Sequence, residues 1–250
     1  MEEKVTVVQE DNWSFLKNFT KARIALGNVG GALPLNEVLD FRLAHAKAKD
    51  AIFSELAVQE LLEKLTALGL SPLVLQSNIE SRNQYLTRPD LGRSLNTASS
   101  AILKEQTTEP DLVFILVDGL SANAVNNHAL AILERILPLL KTHFTYQVVL
   151  VKQGRVAIGD EVGELLKAKF TALFIGERPG LSSPQSMGIY TTYAPQKGLT
   201  DERRNCISNI HTDGLSYEMA TQILFYLIEQ SFLRKISGVE VKVNLNELLI

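Results

Sequence analysis

Cysteine, long apolar runs and dense positive charge are all scarce in this chain of 250 residues. Its one cysteine, Cys206, excludes an intramolecular disulfide and is typical of a reducing compartment. The start, MEEKVTVVQEDN, lacks the basic and then apolar pattern of a secretory signal. The longest uncharged apolar runs, among them residues 223–228, are far shorter than the ~20 residues that cross a bilayer. We therefore expect a soluble cytoplasmic protein that does not enter membranes.

Several ligand classes also lack support in the sequence. A net charge of −3 without a basic block argues against a nucleic-acid partner. There is no P-loop, and the glycines of LGNVGG precede a predicted helix instead of following a strand, so a nucleotide site is not predicted. The four histidines show no metal-ligand spacing, and we expect no metal site.

The pattern of apolar residues changes near residue 105. Helical spacing predicts helices over residues 36–53 and 58–68, within a mainly helical N-terminal region, 1–104. From 105 to 250, apolar runs of strand length alternate with amphipathic helices, which indicates an α/β domain. We predict strands over residues 112–117, 146–151 and 170–175, and helices over residues 126–140 and 161–169. Continuous apolar strands indicate a Rossmann-like, mostly parallel sheet with helices on both faces.

Two of the predicted strands end in unusual loops, VDGLSAN and IGERPG. In such sheets ligands bind outside the carboxyl ends of the strands, so both loops are candidates for a site. Asp118 could be a catalytic carboxylate, but an Asp at this position more often caps the next helix or shapes the turn. Glu177 and Arg178 either pair at the surface or belong to a loop shaped for a ligand.

Three features near the C-terminus leave alternatives open. Cys206 and His211 could form a thiol–imidazole pair, but residues five apart in a strand face opposite sides, so a structural cysteine is favoured. The predicted helix over residues 217–235 is apolar on nearly every face, as expected of a buried spine or of a contact with another chain. Residues 239–250 alternate like an edge strand.

Four segments occur in an order that resembles the small subunit of ethanolamine ammonia-lyase: NQYLTRPDLGRSL, DLVFILVDGLSANAV, QGRVAIGDEVGELLKAKFTALFIGERPG and NCISNIHTDG. The resemblance implies an adenosylcobalamin-dependent enzyme that converts ethanolamine to acetaldehyde and ammonia. It also implies a hetero-oligomer, in which a TIM-barrel large subunit holds the ethanolamine and the small subunit covers the cobalamin. The family's cobalamin contacts fall on Val156, Glu177 and Cys206, and no catalytic residue falls on this chain.

Two further functions and a location remain to be weighed against this resemblance. A non-catalytic cobalamin-binding or assembly protein could use the same scaffold, and a thiol hydrolase could use Cys206. The chain contains no Asp-x-His-x-x-Gly motif, so replacement of the cofactor's lower base by a protein histidine is not expected. Besides the free cytoplasm, the resemblance allows a place inside a bacterial microcompartment.

Overall fold

The computed structural model describes residues 7–243 and shows helices on both sides of one six-stranded sheet. The helices are α1 (Leu35–Ile52), α2 (Val58–Ala67), α3 (Arg82–Thr87), α4 (Thr97–Lys104), α5 (Ala122–Leu140), α6 (Ile158–Leu165) and α7 (Tyr217–Arg234). The strands are β1 (Leu73–Gln76), β2 (Leu112–Val117), β3 (Tyr146–Lys152), β4 (Phe170–Gly176), β5 (Met187–Tyr193) and β6 (Arg204–Ile210).

The sheet has the strand order β1-β3-β2-β4-β5-β6. The pairs among β1, β3, β2 and β4 are parallel, whereas β5 and β6 add an antiparallel edge. The prediction of an α/β fold with a mostly parallel sheet is confirmed. The edge strand β1 belongs to the sheet although it lies before residue 105, inside the segment predicted to be mainly helical.

Apolar residues pack into separate clusters on the two faces of the sheet. One face is covered by α2, α5 and α7, and the other by α4 and α6. Every residue of the central strand β2 is buried, which explains why its sequence, LVFILV, shows no alternation. No helix within residues 7–243 is both long enough and apolar enough to span a bilayer.

Two helices begin earlier than their sequence pattern predicts. Helix α5 begins at Ala122 instead of residue 126, and α6 spans Ile158–Leu165 instead of 161–169. The first turns of both helices consist mostly of small or polar residues, with one large apolar residue each, Val125 in α5 and Ile158 in α6, so the apolar stripe is short of signal there. The boundaries of α1, α2 and α7 lie within a residue or so of those predicted.

The C-terminal part of the chain corrects one prediction. Helix α7 packs one side on the sheet and on α5, and a contact of its other side with another chain stays a prediction. The edge strand predicted from residue 239 is wrong as far as Val243, because this segment forms a turn that buries Val241. Asn205 holds this turn by donating to the Val241 carbonyl. The remainder of the predicted strand, residues 244–250, lies outside the described residues.

A buried ion pair fastens α6 to β6. The guanidinium of Arg204, at the start of β6, donates to the carboxylate of Asp160 in the first turn of α6, and both side chains are 2 % exposed. The same guanidinium also contacts Asp201 at 2.8 Å, but the Asp201 side chain is 91 % exposed. A charge buried in this way depends on its partner, because removal of one partner leaves the other uncompensated in a medium of low polarity.

We therefore expect Asp160→Ala to lower the free energy of unfolding by about 3–5 kcal/mol, as is typical of a broken buried pair. Asp201→Ala is the matched control, since it removes an exposed carboxylate from the same guanidinium, and should leave stability nearly unchanged. Urea denaturation followed by circular dichroism measures both. Equal losses in the two variants would show that burial of the pair is not the source of its contribution.

Candidate functional site

The turns after β2 and β4 pack against each other with no room between them. A Cβ atom on Gly119 would lie 2.3 Å from the carbonyl oxygen of Gly176, and one on Gly176 would lie 2.0 Å from that of Ser121. Gly119 also adopts a φ of +60°, which favours glycine. The Leu120 N–H donates to the Gly176 carbonyl at 2.9 Å. These two strand ends therefore form one rigid unit at the carboxyl edge of the sheet.

Asp118 joins the turn after β2 to the turn after β3. Its carboxylate accepts hydrogen bonds from the backbone N–H groups of Gly119 (3.0 Å) and Gln153 (2.9 Å). Burial raises the pKa of Asp118 to about 6, and the nearby Arg82 guanidinium opposes this rise. Ser121, and not Asp118, is the N-cap residue of α5. The interpretation of Asp118 as a helix cap is therefore wrong, and its interpretation as a turn-shaping residue is confirmed.

The loop that carries Val156 is fixed by an aromatic ring that contacts two guanidinium groups. The buried ring of Tyr85 lies 4.5 Å from the guanidinium of Arg82 and 3.9 Å from that of Arg155. The Tyr85 hydroxyl donates to the Gly154 carbonyl at 3.0 Å, and Arg155 donates to the Tyr85 carbonyl at 2.7 Å. Such cation–π contacts are strongest away from water. They connect α3 to the QGRV loop that enters α6.

Glu177 is held in place by one of its two carboxylate oxygens. Its Oε2 accepts from the Ser186 hydroxyl (2.5 Å) and from the Asn209 N–H (3.3 Å), while the Glu177 N–H donates to the Ser186 carbonyl at 2.9 Å. Its Oε1 has no hydrogen-bond partner among the described residues. The carboxylate lies over Gly188 of β5, where a Cβ atom would lie 3.0 Å from Oε1. The arrangement fixes the carboxylate and leaves one acceptor available to a ligand.

Tyr190 and Cys206 lie beside Glu177 on neighbouring strands. They are cross-strand partners of β5 and β6, and their side chains lie close enough to influence each other's pKa. Partial removal from water raises the pKa of the Cys206 thiol, and the negative charge of Glu177 raises it further, against the effect of Tyr190. Burial also raises the pKa of Tyr190. We call the group of Glu177, Gly188, Tyr190 and Cys206 the β5–β6 face.

The structure thus brings Glu177 and Cys206 together and places Val156 on the same side of the sheet. Val156 lies just before α6 and packs against the hydrophobic cluster that Tyr190 also contacts. The surface between them is open, and Cys206 is exposed. A separate cleft of about 860 Å³ opens at the ends of β1 and β3, and none of the three predicted contact residues lines it. The β5–β6 face is therefore an open wall and not an enclosed pocket.

The competing chemical interpretations of this region find no geometric support. His211 contacts Asn209 at 2.9 Å and accepts from the Asp213 N–H at 3.3 Å, so its ring does not pair with the Cys206 thiol. The raised pKa of the thiol also disfavours a nucleophile. Glu177 and Arg178 form no ion pair, which excludes the surface-pair interpretation. Residues 7–243 contain no group of three or more side chains placed to hold a metal ion.

Sequence reasoning missed Ser186, which holds the backbone and the carboxylate of Glu177, and Tyr190, which lies opposite Cys206. A signal for Tyr190 was present in MGIYTTY, residues 187–193, where Gly188 and Tyr190 alternate with the buried apolar residues Met187 and Ile189. Which residues face each other across strands depends on the pairing of β5 with β4 and β6, and local pattern does not reveal that pairing.

Comparison with known proteins gives one consistent family. The sequence model of the ethanolamine ammonia-lyase light-chain (EutC) family matches residues 10–242. The chain is 49 % identical over 243 residues to the ethanolamine ammonia-lyase small subunit of Pseudomonas putida strain GB-1, which covers 95 % of this chain and 89 % of the relative. It is 48 % identical to the small subunit of Pseudomonas fluorescens strain Pf0-1 (96 % and 90 % covered) and 47 % identical to that of Pseudomonas aeruginosa strain LESB58 (93 % and 88 % covered).

The closeness of Glu177 to Cys206 can be measured without any ligand, because Cys206 is the only thiol of the chain. Glu177→Gln removes a negative charge that raises the pKa of the thiol. We expect the pH profile of Cys206 alkylation, followed by mass spectrometry, to shift to lower pH in this variant. Glu134→Gln, a change at an exposed position of α5, is the control. A profile that does not move would place the carboxylate farther from the thiol than described.

Proposed function

This chain belongs to the ethanolamine ammonia-lyase light-chain family, and on that premise we propose that it provides one wall of an adenosylcobalamin site. In this proposal a large subunit completes the site, and the name small subunit of its relatives supports the existence of such a partner. In this proposal the assembled enzyme converts ethanolamine to acetaldehyde and ammonia. The large subunit holds the ethanolamine, and this chain contacts the cofactor through Val156, Glu177 and Cys206.

The observation that carries the proposal is the fixed carboxylate of Glu177 with its unpartnered Oε1. A corrinoid has amide side chains around an apolar ring, and their N–H groups require acceptors that are held at defined positions. The two hydrogen bonds to Oε2 restrict the carboxylate before a ligand arrives, so less conformational entropy is lost on binding. The chemistry of these side chains fits such a ligand: Glu177 offers one acceptor, the β5–β6 face adds a thiol and a phenol, and Val156 offers an apolar contact.

The residues of this chain are suited to holding and shielding rather than to acid–base catalysis. When bound, adenosylcobalamin supplies the radical chemistry through its cobalt–carbon bond. Glu177 orients the corrin periphery, Val156 covers apolar area, and the interlocked turns behind them keep both at a constant distance. Asp118, a buried carboxylate at this edge, is committed to two backbone N–H groups and supports the loops.

Reconstitution tests the proposal as a whole. We expect the isolated chain to show negligible turnover of ethanolamine, and activity to appear only when the large subunit and adenosylcobalamin are both added. A coupled assay for acetaldehyde measures this, with each component omitted in turn. Full activity of this chain alone, or no activity of the complete mixture, would contradict the proposal, and retained activity in Cys206→Ala would eliminate the thiol hydrolase.

The role of Glu177 has a sharper test. Glu177→Ala should weaken cobalamin binding to the complex about 5- to 150-fold, the range expected when about 1–3 kcal/mol of a charge-assisted hydrogen bond is lost. The KM for ethanolamine at saturating cofactor should change little, because the substrate is held by the partner. Glu134→Ala removes an exposed carboxylate far along α5 and serves as the control. An unchanged cofactor affinity in Glu177→Ala would remove this residue from the site.

A further inference from the structure

The N-terminal arm, which we define as residues 7–53, carries most of the exposed apolar surface of the molecule. Eleven of the eighteen large hydrophobic residues exposed within residues 7–243 lie in the arm. They are Val7, Val8, Trp13, Phe15, Phe19, Leu33, Leu35, Leu39, Phe41, Leu43 and Phe53. In the arm only Pro34, Ala48 and Ala51 are buried. An apolar surface of this extent on a folded protein marks a contact with another molecule.

Helix α1 organises this surface because it is apolar on two faces. One face, which includes Ala48 and Ala51, lies against the rest of the chain. The other carries Leu35, Leu39 and Leu43, which are 71 %, 52 % and 54 % exposed. Residues four apart lie above one another on a helix, so these three leucines form a continuous stripe. A leucine stripe on an otherwise solvated helix is the pattern of a helix that packs against a partner.

The position of the arm identifies the partner. Lys21 forms an ion pair with Asp213, in the loop after β6, at 2.8 Å. Residues 21–23 and the β4–β5 loop at Leu181 and Ser182 together line a cavity of about 420 Å³. The arm therefore borders both loops that flank the β5–β6 face. A partner chain that covers the β5–β6 face would also contact the arm, because the arm adjoins that face.

From this placement we infer that the stripe of Leu35, Leu39 and Leu43 is a docking site for the large subunit. The inference rests on the proposed function, because it takes the chain that completes the cofactor site as the occupant. The apolar arm supplies affinity that does not depend on the cofactor, and the β5–β6 face is brought into position beside it. The large subunit then presents an apolar groove or helix to α1 and need not contact Glu177 to remain bound.

Binding measurements without cobalamin test this inference separately from the cofactor site. The double variant Leu39→Asp/Leu43→Asp should weaken binding of the full chain to the purified large subunit about 100-fold, as for two central apolar contacts of an interface. Leu233→Asp is the matched control, since Leu233 is 77 % exposed at the end of α7, outside the arm. Biolayer interferometry gives the affinities, and circular dichroism with thermal melting verifies folding. If the aspartates unfold the helix, Leu39→Gln/Leu43→Gln replaces them, because glutamine is a good helix former.

The outcomes are distinct. Weakened binding in the stripe variant with normal binding in Leu233→Asp supports the inference. Unchanged binding in both variants overturns it and leaves the proposed cofactor site intact. If the chain alone is a dimer that the stripe variant converts to a monomer, the occupant is a second copy and the inference is wrong. If the unsubstituted chain does not bind the large subunit at all, the proposed function itself fails.

Discussion

The turns after β2 and β4 meet backbone to backbone, and the whole carboxyl edge of the sheet is arranged around that contact. Because neither Gly119 nor Gly176 has space for a Cβ atom, the two turns cannot slide past each other or accept an intervening side chain. The Asp118 carboxylate extends this unit to the turn after β3, and the Ser186 contacts of Glu177 extend it to the start of β5. Loops that look independent in the sequence are thus parts of one framework, which accounts for the glycine immediately before Glu177.

Strong apolar periodicity made the central part of the fold predictable. The strands β2, β3 and β4 are continuous apolar runs because they are covered on both faces, and their boundaries follow closely from the sequence. The antiparallel edge was harder to predict from the sequence, because β5 contains threonines and a glycine and β6 has exposed polar residues. Family resemblance indicated Glu177 and Cys206 as neighbours at one ligand, whereas Tyr190 becomes visible only once the strands are paired. Pairing is a long-range property, which local patterns do not encode.

The molecule combines a well-packed framework with two surfaces that nothing in residues 7–243 covers, the β5–β6 face and the N-terminal arm. Two hydrophobic clusters, the Asp160–Arg204 pair and the Tyr85 stack make the α/β part rigid behind the β5–β6 face. Nothing in residues 7–243 encloses the front of that face, and beside it lies an arm with few buried residues of its own. This division suits a protein that contributes geometry to a larger assembly, where a rigid surface minimises the ordering that must accompany association.

Gly188 controls the position of the Glu177 carboxylate on this surface. It lies on β5 directly beneath the carboxylate of Glu177, and the absence of a side chain there creates the recess in which that carboxylate rests. A single methyl group at this position would displace Glu177 by a few tenths of an ångström or turn its unpartnered oxygen aside. The height of the acceptor above the sheet is therefore determined by a residue that lies beneath it, so in the proposed site variation at residue 188 would alter ligand recognition while Glu177 itself is retained.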